Sequence, residues 1–406
     1  MKGPTRRGAR PARPRRVQRA ALLISLSLCA AASAARDANH VQILAIGSGA
    51  ALAASEGLDA SNSYRSRTRF PENPELSLRA RLPGGIGQAP ACDEAGNLII
   101  VHTEPRLSKL DGKGRTLWSE RLPSEASCAP SLLADGSILI VTREAEALLF
   151  SPSGKRLTAT SLPFSDPRRR TLAIPTASGG ALVTSGSELV ELDSAARVLR
   201  ETQLRGNASV LVGSGADLIA VSEGGSVERA RATGDFELLG SFGGNVSDSA
   251  AVQAGKLLAI VDAHKWLALD LASGQVSNLA LDPASTLSGP AALLPTRGAA
   301  LIADNGFISV RNRDGAETLR VAIGAAGPSI EPLTRGLRGG RLISDTNGTI
   351  AAVQAGNDAI LLAPDGTAVR LEGTSCLDPL RPTPTLRGVV FSCRSGQLFG
   401  VSGKAP

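Results

Sequence analysis

The chain has 406 residues, 44 of them basic and 37 acidic, with aromatics at only 3%. Eight of the basic residues fall within the first 34, and without them 36 bases face 37 acids, a net charge near −1. That balance excludes a global electrostatic pull toward nucleic acid or an anionic membrane.

The leader comes first. Lys2, Arg6, Arg7, Arg10, Arg13, Arg15, Arg16 and Arg19 occur with no acid before residue 35, and apolar or small residues then run from Ala20 to Ala32. A spanning helix needs roughly 20 apolar residues, so this shorter run reads as a secretory signal. Ala32-Ser33-Ala34 carries the small residues a signal peptidase accepts, which predicts cleavage between Ala34 and Ala35. Cys29 follows Leu28, where a lipoprotein signal has a small residue, so it belongs to the discarded leader. Arg15-Arg16 continues as Val17-Gln18-Arg19 and reads as ordinary positive charge. The expectation is export to the periplasm or medium, with no membrane segment left after cleavage.

Residues 35–74 form an extension: an apolar stretch from Val41 to Ala54, then a Ser-, Asn- and Arg-rich linker through Pro74. Ile46-Gly-Ser-Gly-Ala50 opens like a dinucleotide-binding loop, but the third glycine and the following βαβ unit are missing.

From residue 75 to 406 a repeat takes over. Leu107 to Trp118 alternates apolar and polar residues around the turn Asp111-Gly-Lys-Gly114, which predicts two antiparallel strands. Short Val/Ile/Leu-rich runs recur, and taking Leu98, Ile138, Leu182, Leu218, Leu257, Leu301, Leu342 and Val389 as markers, they lie 40, 44, 36, 39, 44, 41 and 47 residues apart. Runs so short, bounded by Gly, Asp, Asn and Ser, read as buried strands. Before the markers stand Ala89-Pro90-Ala91, Ala129-Pro130-Ser131, Ile174-Pro175-Thr176, Gly289-Pro290-Ala291 and Thr383-Pro384-Thr385, whose prolines are expected at strand entrances or bends. A third strand such as Trp266 to Asp270 and a Gly-containing turn into a fourth complete each unit. The expected fold is all-β: an eight-bladed β-propeller of four-stranded antiparallel blades, with seven blades as the alternative. In the seventh unit both Leu342-Ile343 and Thr349 to Val353 qualify as the second strand.

The last unit stops one strand short, while Glu75 to Leu82 precedes the first with no partner. Supplying that strand to the final blade removes two exposed edges and predicts ring closure by the N-terminal strand.

Candidate chemistry is sparse. His40, His102 and His264 are the only histidines and fall in different parts of the chain; the latter two occupy ordinary strand-end and turn positions. Asp111, Asp270, Asp314 and Asp365 are turn residues, where a short carboxylate accepts bonds from following N–H groups. Asp345-Thr-Asn-Gly348 lacks the remaining ligands of a calcium loop. Arg168-Arg169-Arg170 and Arg335, Arg338 and Arg341 read as solvated loops. Cys92, Cys128, Cys376 and Cys393 remain after cleavage and allow three disulfide pairings; Cys376 and Cys393 share the C-terminal unit and are the favoured pair. Cys92 and Cys128 fit buried free thiols equally well. No residue is assigned to catalysis, a cofactor or a metal.

Lys109-Leu-Asp-Gly-Lys-Gly-Arg-Thr-Leu-Trp118 and Leu267-Ala-Leu-Asp-Leu-Ala-Ser-Gly-Gln-Val276 resemble the pyrroloquinoline-quinone-type propeller repeat, over about residues 75–404. With Trp118 and Trp266 the sole tryptophans, the family's tryptophan-docking girdle is mostly missing. The quinoprotein dehydrogenase branch would imply a quinone and calcium on the axis, yet there is no Cys-Cys pair and little aromatic surface. The repeat is closer to the non-catalytic outer-membrane-assembly propellers of Gram-negative bacteria, although it lacks their lipid-attachment signal. That resemblance implies a bacterial, monomeric, non-enzymatic scaffold binding protein partners in the cell envelope, with no cofactor. The alternative is a divergent quinone- or small-molecule-binding oxidoreductase using the central funnel.

Overall fold

The computed structural model describes residues 64–403, apart from 167, 215–216, 231–234, 280–286, 288–290, 297, 304–305 and 324–339. The leader, its cleavage point at Ala34 and Ala35, His40, the 46–50 glycine loop, Pro290, Arg335 and Arg338 lie outside the described residues.

Eight separate four-stranded antiparallel sheets follow one another. Seven are built in chain order, over residues 91–121, 131–161, 171–203, 208–241, 246–279, 292–322 and 341–370. The eighth runs Thr383–Thr385, Gly388–Ser392, Gln397–Gly403 and finally Pro74–Arg81. The ring therefore closes as the unpartnered N-terminal strand requires, with Leu76 opposite Val401 and Arg81 opposite Gln397. The blades are all-β and number eight, not seven.

The marker runs are continuous in hydrophobicity because each second strand is covered on both faces. In blade one Leu98 and Ile100 pack into the cluster shared with blade eight, while Ile99 and Val101 pack against Leu132, Ile138 and Phe150 of blade two. All four are at most 1% exposed. The core is thus a series of inter-blade seams, and each blade needs only its neighbours, which is how the chain avoids the size limit of a single core.

A recurrent contact fixes the angle between blades. Trp118, on the outer strand of blade one, lies over the turn of blade two: its Nε1 donates to Pro152 O at 3.1 Å, and a Cβ on Gly154 would stand 2.7 Å from its Cδ2. Gly154 has φ +89°, so it supplies both the left-handed turn and the flat seat. Leucines take the same place elsewhere: Leu78 over Gly114, Leu279 over Gly315 and Leu319 over Gly366. The docking persists without tryptophan, and through Leu78 the closing strand seats itself on blade one.

In the seventh blade the inner strand is Arg341–Ser344 and the second is Ile350–Val353, so Leu342 marks a different strand from the other seven markers. The reason is Asp345, whose Oδ1 accepts from Asn347 N and Thr349 N at 2.8 Å each, closing a turn between those strands. The supposed calcium-like tetrapeptide is this turn. Pro90 and Pro130 do precede inner strands, but Pro175 ends one and Pro384 lies in the middle of another. Inner strands pair on one side only, so a missing N–H on the axial side costs no ladder bond.

Candidate functional site

The first strands of successive blades meet at the hub, as Ala208–Ser214 does with Val246–Gln253. Four of their polar side chains join one blade to another. Ser131 Oγ donates to Ala173 O of the next blade at 2.6 Å, Ser344 Oγ to Leu293 O at 2.7 Å, and Thr383 Oγ1 to Pro90 O at 3.1 Å. Gln253 Nε2 donates to Leu294 O at 3.1 Å in the same manner. All three hydroxyl residues are fully buried. A hydroxyl held this way satisfies a carbonyl at the edge of a neighbouring sheet and is not poised as a nucleophile.

The chain's own N-terminal segment reaches the same hub. Ser66 N donates to Ser344 O at 2.6 Å and Ser344 N donates to Tyr64 O at 3.0 Å, a parallel bridge on the edge of the inner strand that no other strand of blade seven uses. Thr68 Oγ1 donates to Thr385 O of blade eight at 3.1 Å, and Phe70 N donates to the buried Asp345 Oδ2 at 2.7 Å. Tyr64, Ser66 and Phe70 are buried. Part of the stretch read as a linker is therefore built into the propeller axis. Its signal was present as an alternation: Tyr64, Ser66, Thr68 and Phe70 face the wall, and Arg65, Arg67 and Arg69 stand between them.

The described histidines take no part in these inner-strand contacts. His102 is 5% exposed, with Nδ1 3.2 Å from Pro83 O and Nε2 3.0 Å from Ser108 Oγ, which in turn contacts Ser119 Oγ at 3.0 Å. Burial depresses its pKa, against the opposing pull of the Pro83 carbonyl. A carbonyl, not a carboxylate, orients the ring, and Ser108 is itself buried, so this serine–histidine pair lacks both access and support for an imidazolium. His264 lies exposed in a turn beside Asp262.

The turn aspartates behave as turn residues. Asp111 Oδ1 accepts from Lys113 N and Arg115 N at 2.9 Å each, and the Arg115 side chain reaches its other oxygen at 2.7 Å. These bonds, led by that from the Arg115 backbone, hold its carboxyl below the usual range. Asp270 and Asp365 accept from following N–H groups likewise. Asp314 does not: in its turn Asn312 Oδ1 is the acceptor, and Asp314 donates its N–H to it at 3.0 Å. Among the described residues no group of three or more His, Cys, Asp or Glu is placed to hold a metal ion, and no helix is long and apolar enough to cross a membrane.

Cys376 and Cys393 are joined by a disulfide, with Cα atoms 6.2 Å apart, tying the loop before blade eight to a hairpin turn of that blade. Cys92 and Cys128 are buried and stand outside that disulfide. Burial pushes the Cys92 thiol pKa far up, with Asp93 adding to the effect, so it is inert as a nucleophile.

A cleft of about 320 Å³ opens between blades one and two, over Ile99, Leu132 and Ile138 with Asp93, Glu94 and Asp135 at its margin. Lys109 crosses it, 2.9 Å from Asp93 Oδ2 and 3.2 Å from Pro152 O. Burial works to raise the Asp93 carboxyl, and the hydrogen bonds from Lys109 and Asn97 overcome it and hold it low. These groups satisfy one another and form a structural bridge across the seam.

No family model matches the chain, and no curated protein matches it in sequence. Solved structures do. BamB from Moraxella catarrhalis is 15% identical, with 82% of this chain and 98% of that chain covered at a TM-score of 0.59. The C-terminal WD40 domain of Sif2 is 11% identical, with 83% and 100% covered at 0.63. The computationally designed protein Ika8 is 14% identical, with 81% and 99% covered at 0.59. At such identities the likeness is one of fold, and what the chain shares with these structures is the propeller itself.

Proposed function

We propose that the chain is an exported, non-enzymatic propeller that serves as a protein-interaction scaffold in the cell envelope, periplasmic or secreted, binding its partners as a monomer. The observation that carries this reading is the hub. The hydroxyls of Ser131, Ser344 and Thr383 are bonded to neighbouring blades, and the chain's own residues 64–70 lie along the axial edge of blade seven. An axis built this way favours the scaffold over a quinone- or small-molecule-binding oxidoreductase, which needs carboxylates and an aromatic plate around the funnel. The leader with its cleavage between Ala34 and Ala35, an extension to residue 74 and a propeller from 75 to 406 belong to the same proposal. So does the Cys376–Cys393 bond, which suits an oxidising compartment.

Two measurements test it. Pyrroloquinoline quinone and calcium added to the purified mature protein are expected to leave its melting temperature unchanged; a saturable rise would refute the scaffold, since a ligand selective for the folded state must stabilise it. Tagged protein recovered from the envelope is expected to bring defined protein partners in stoichiometric amount, and its recovery alone would count against the reading.

A further inference from the structure

We infer that the Cys376–Cys393 bond is a redox latch on ring closure: a dithiol that reduces it frees the turn clamping the N-terminal strand, and re-oxidation fastens that turn again. The inference stands on the geometry of blade eight and holds whether or not the propeller is a scaffold.

Blade eight is built from both ends of the chain. Its outer strand is Pro74–Arg81 and its other three strands lie within residues 383–403, so no turn joins the outer strand to the third. In blade one, by contrast, residues 111–115 carry the chain straight from third strand to fourth. Without such a turn the outer strand of blade eight stays in place through its ladder and through whatever fastens its two ends. Ahead of Pro74 the chain is bonded to Asp345 and Thr385. Beyond Arg81 it is fastened by the hairpin turn 393–396 of blade eight. Leu82 N donates to Gly396 O at 2.8 Å, Ile86 N donates to Arg394 O at 3.0 Å, and Arg394 Nη1 donates to Gly87 O at 2.8 Å. The chain lies hard against that turn, since a Cβ on Gly85 would stand 2.7 Å from Arg394 O.

The disulfide holds that turn to the loop before it. Cys393 opens the turn, and Cys376 belongs to the loop between blades seven and eight, where its carbonyl accepts from Gly356 N of blade seven at 2.7 Å. The bond therefore continues a path of contacts that runs from blade seven, through the turn, to the exit of the closing strand and on to blade one. The other ties between loop and turn are lighter. Arg394 N donates to Asp378 O at 3.0 Å and Leu380 N to Ser392 O at 2.9 Å, while the Asp378–Arg394 ion pair stands 3.6 Å apart and open to solvent on both sides, where such pairs contribute little. Reduction takes two electrons and two protons from a dithiol: the Sγ–Sγ bond breaks, each sulfur becomes a thiol, and the dithiol closes to its own disulfide. Cys376, 7% exposed against 1% for Cys393, is the cysteine a dithiol meets first. A cross-link spanning 17 residues is then lost from the one blade whose four strands no continuous run of chain holds together, and the other seven keep their connecting turns.

The test uses the mature protein, oxidised and then treated with dithiothreitol, and follows amide hydrogen exchange by mass spectrometry. Reduction is expected to speed exchange about a hundred-fold across residues 76–87, the scale of opening that loss of such a cross-link permits, and to leave Ile138–Val141 and Lys256–Val261 unchanged. Replacing dithiothreitol with oxidised glutathione should restore protection. The paired variant Cys376→Ser with Cys393→Ser should match the reduced protein and give no response to dithiothreitol; if it fails to fold, the wild type reduced after folding carries the test. Faster exchange confined to residues 374–382 and 393–396 would make the bond a local staple and overturn the latch. Equal acceleration in every blade also overturns it, as does a bond that dithiothreitol leaves intact in the folded protein.

Discussion

Replacing Glu191 by leucine is expected to stabilise the protein. Glu191 sits on the third strand of blade three, 3% exposed, and neither carboxylate oxygen has a hydrogen-bond partner among the described residues. Its surroundings are the seam made by Leu182, Leu189, Leu211 and Leu218. The corresponding residue of blade two, fourth in its strand and just before the same bulge, is Leu149, so the blade geometry accepts a leucine there. Burying an unpaired polar group costs about 1–3 kcal/mol, and the cross-strand neighbour Arg200 offsets only part of it. Removing that penalty predicts a gain of about 1–3 kcal/mol at neutral pH. The effect carries a pH signature. Burial raises the Glu191 pKa above its ordinary 4.5, so the folded state holds the proton more tightly than the unfolded state. Wild type is therefore least penalised below the unfolded pKa and loses stability as pH climbs from there through the raised folded pKa. Urea unfolding of wild type and Glu191→Leu at pH 4 and pH 7.5 should show a small difference at the lower value and the full one at the higher. A variant destabilised at both, or a difference independent of pH, would refute the reasoning.

Asp345→Ala removes the acceptor for Phe70 N and for two turn N–H groups in a fully buried setting. A loss of about 2–4 kcal/mol is expected, with rapid tryptic cleavage at Arg65, Arg67 and Arg69 as the segment leaves the hub. Gly154→Ala combines a positive φ with a clash against Trp118 and should cost about 1–3 kcal/mol; in the Trp118→Ala background the clash is gone, so a double-mutant cycle should show coupling between the two sites. Reducing the Cys376–Cys393 bond, which spans 17 residues, should lower stability by about 3 kcal/mol and leave the other blades assembled, as hydrogen exchange confined to residues around the eighth blade would show.

Strand content, the forty-residue period and the closing strand are legible in the sequence because each rests on a local rule. A strand covered on both faces must be apolar at successive positions, as Leu98 to Val101 is, and a turn glycine must stand where φ is positive, as Gly114 and Gly154 do. The free edge of the last unit likewise announces itself by a missing strand. The seventh blade was ambiguous because Leu342-Ile343 and Ile350 to Val353 are both buried apolar runs, and only pairing distinguishes an inner strand from its neighbour. Glu191 was invisible for a related reason: on the pattern it is a polar residue in a strand, and its isolation depends on which blade lies against it.

The N-terminal residues show where tertiary structure alone decides. Tyr64 to Phe70 alternates as a strand does, yet with one polar and one mixed face it reads as a linker, since nothing local states which surface it will meet. The ring brings the axial edge of Ser344 and the carboxylate of Asp345 to it, the latter from 275 residues away in sequence. Periodic burial is a property each repeat writes into its own residues; the composition of the axis is a property of eight repeats closing on one another, and it exists only once the ring is formed.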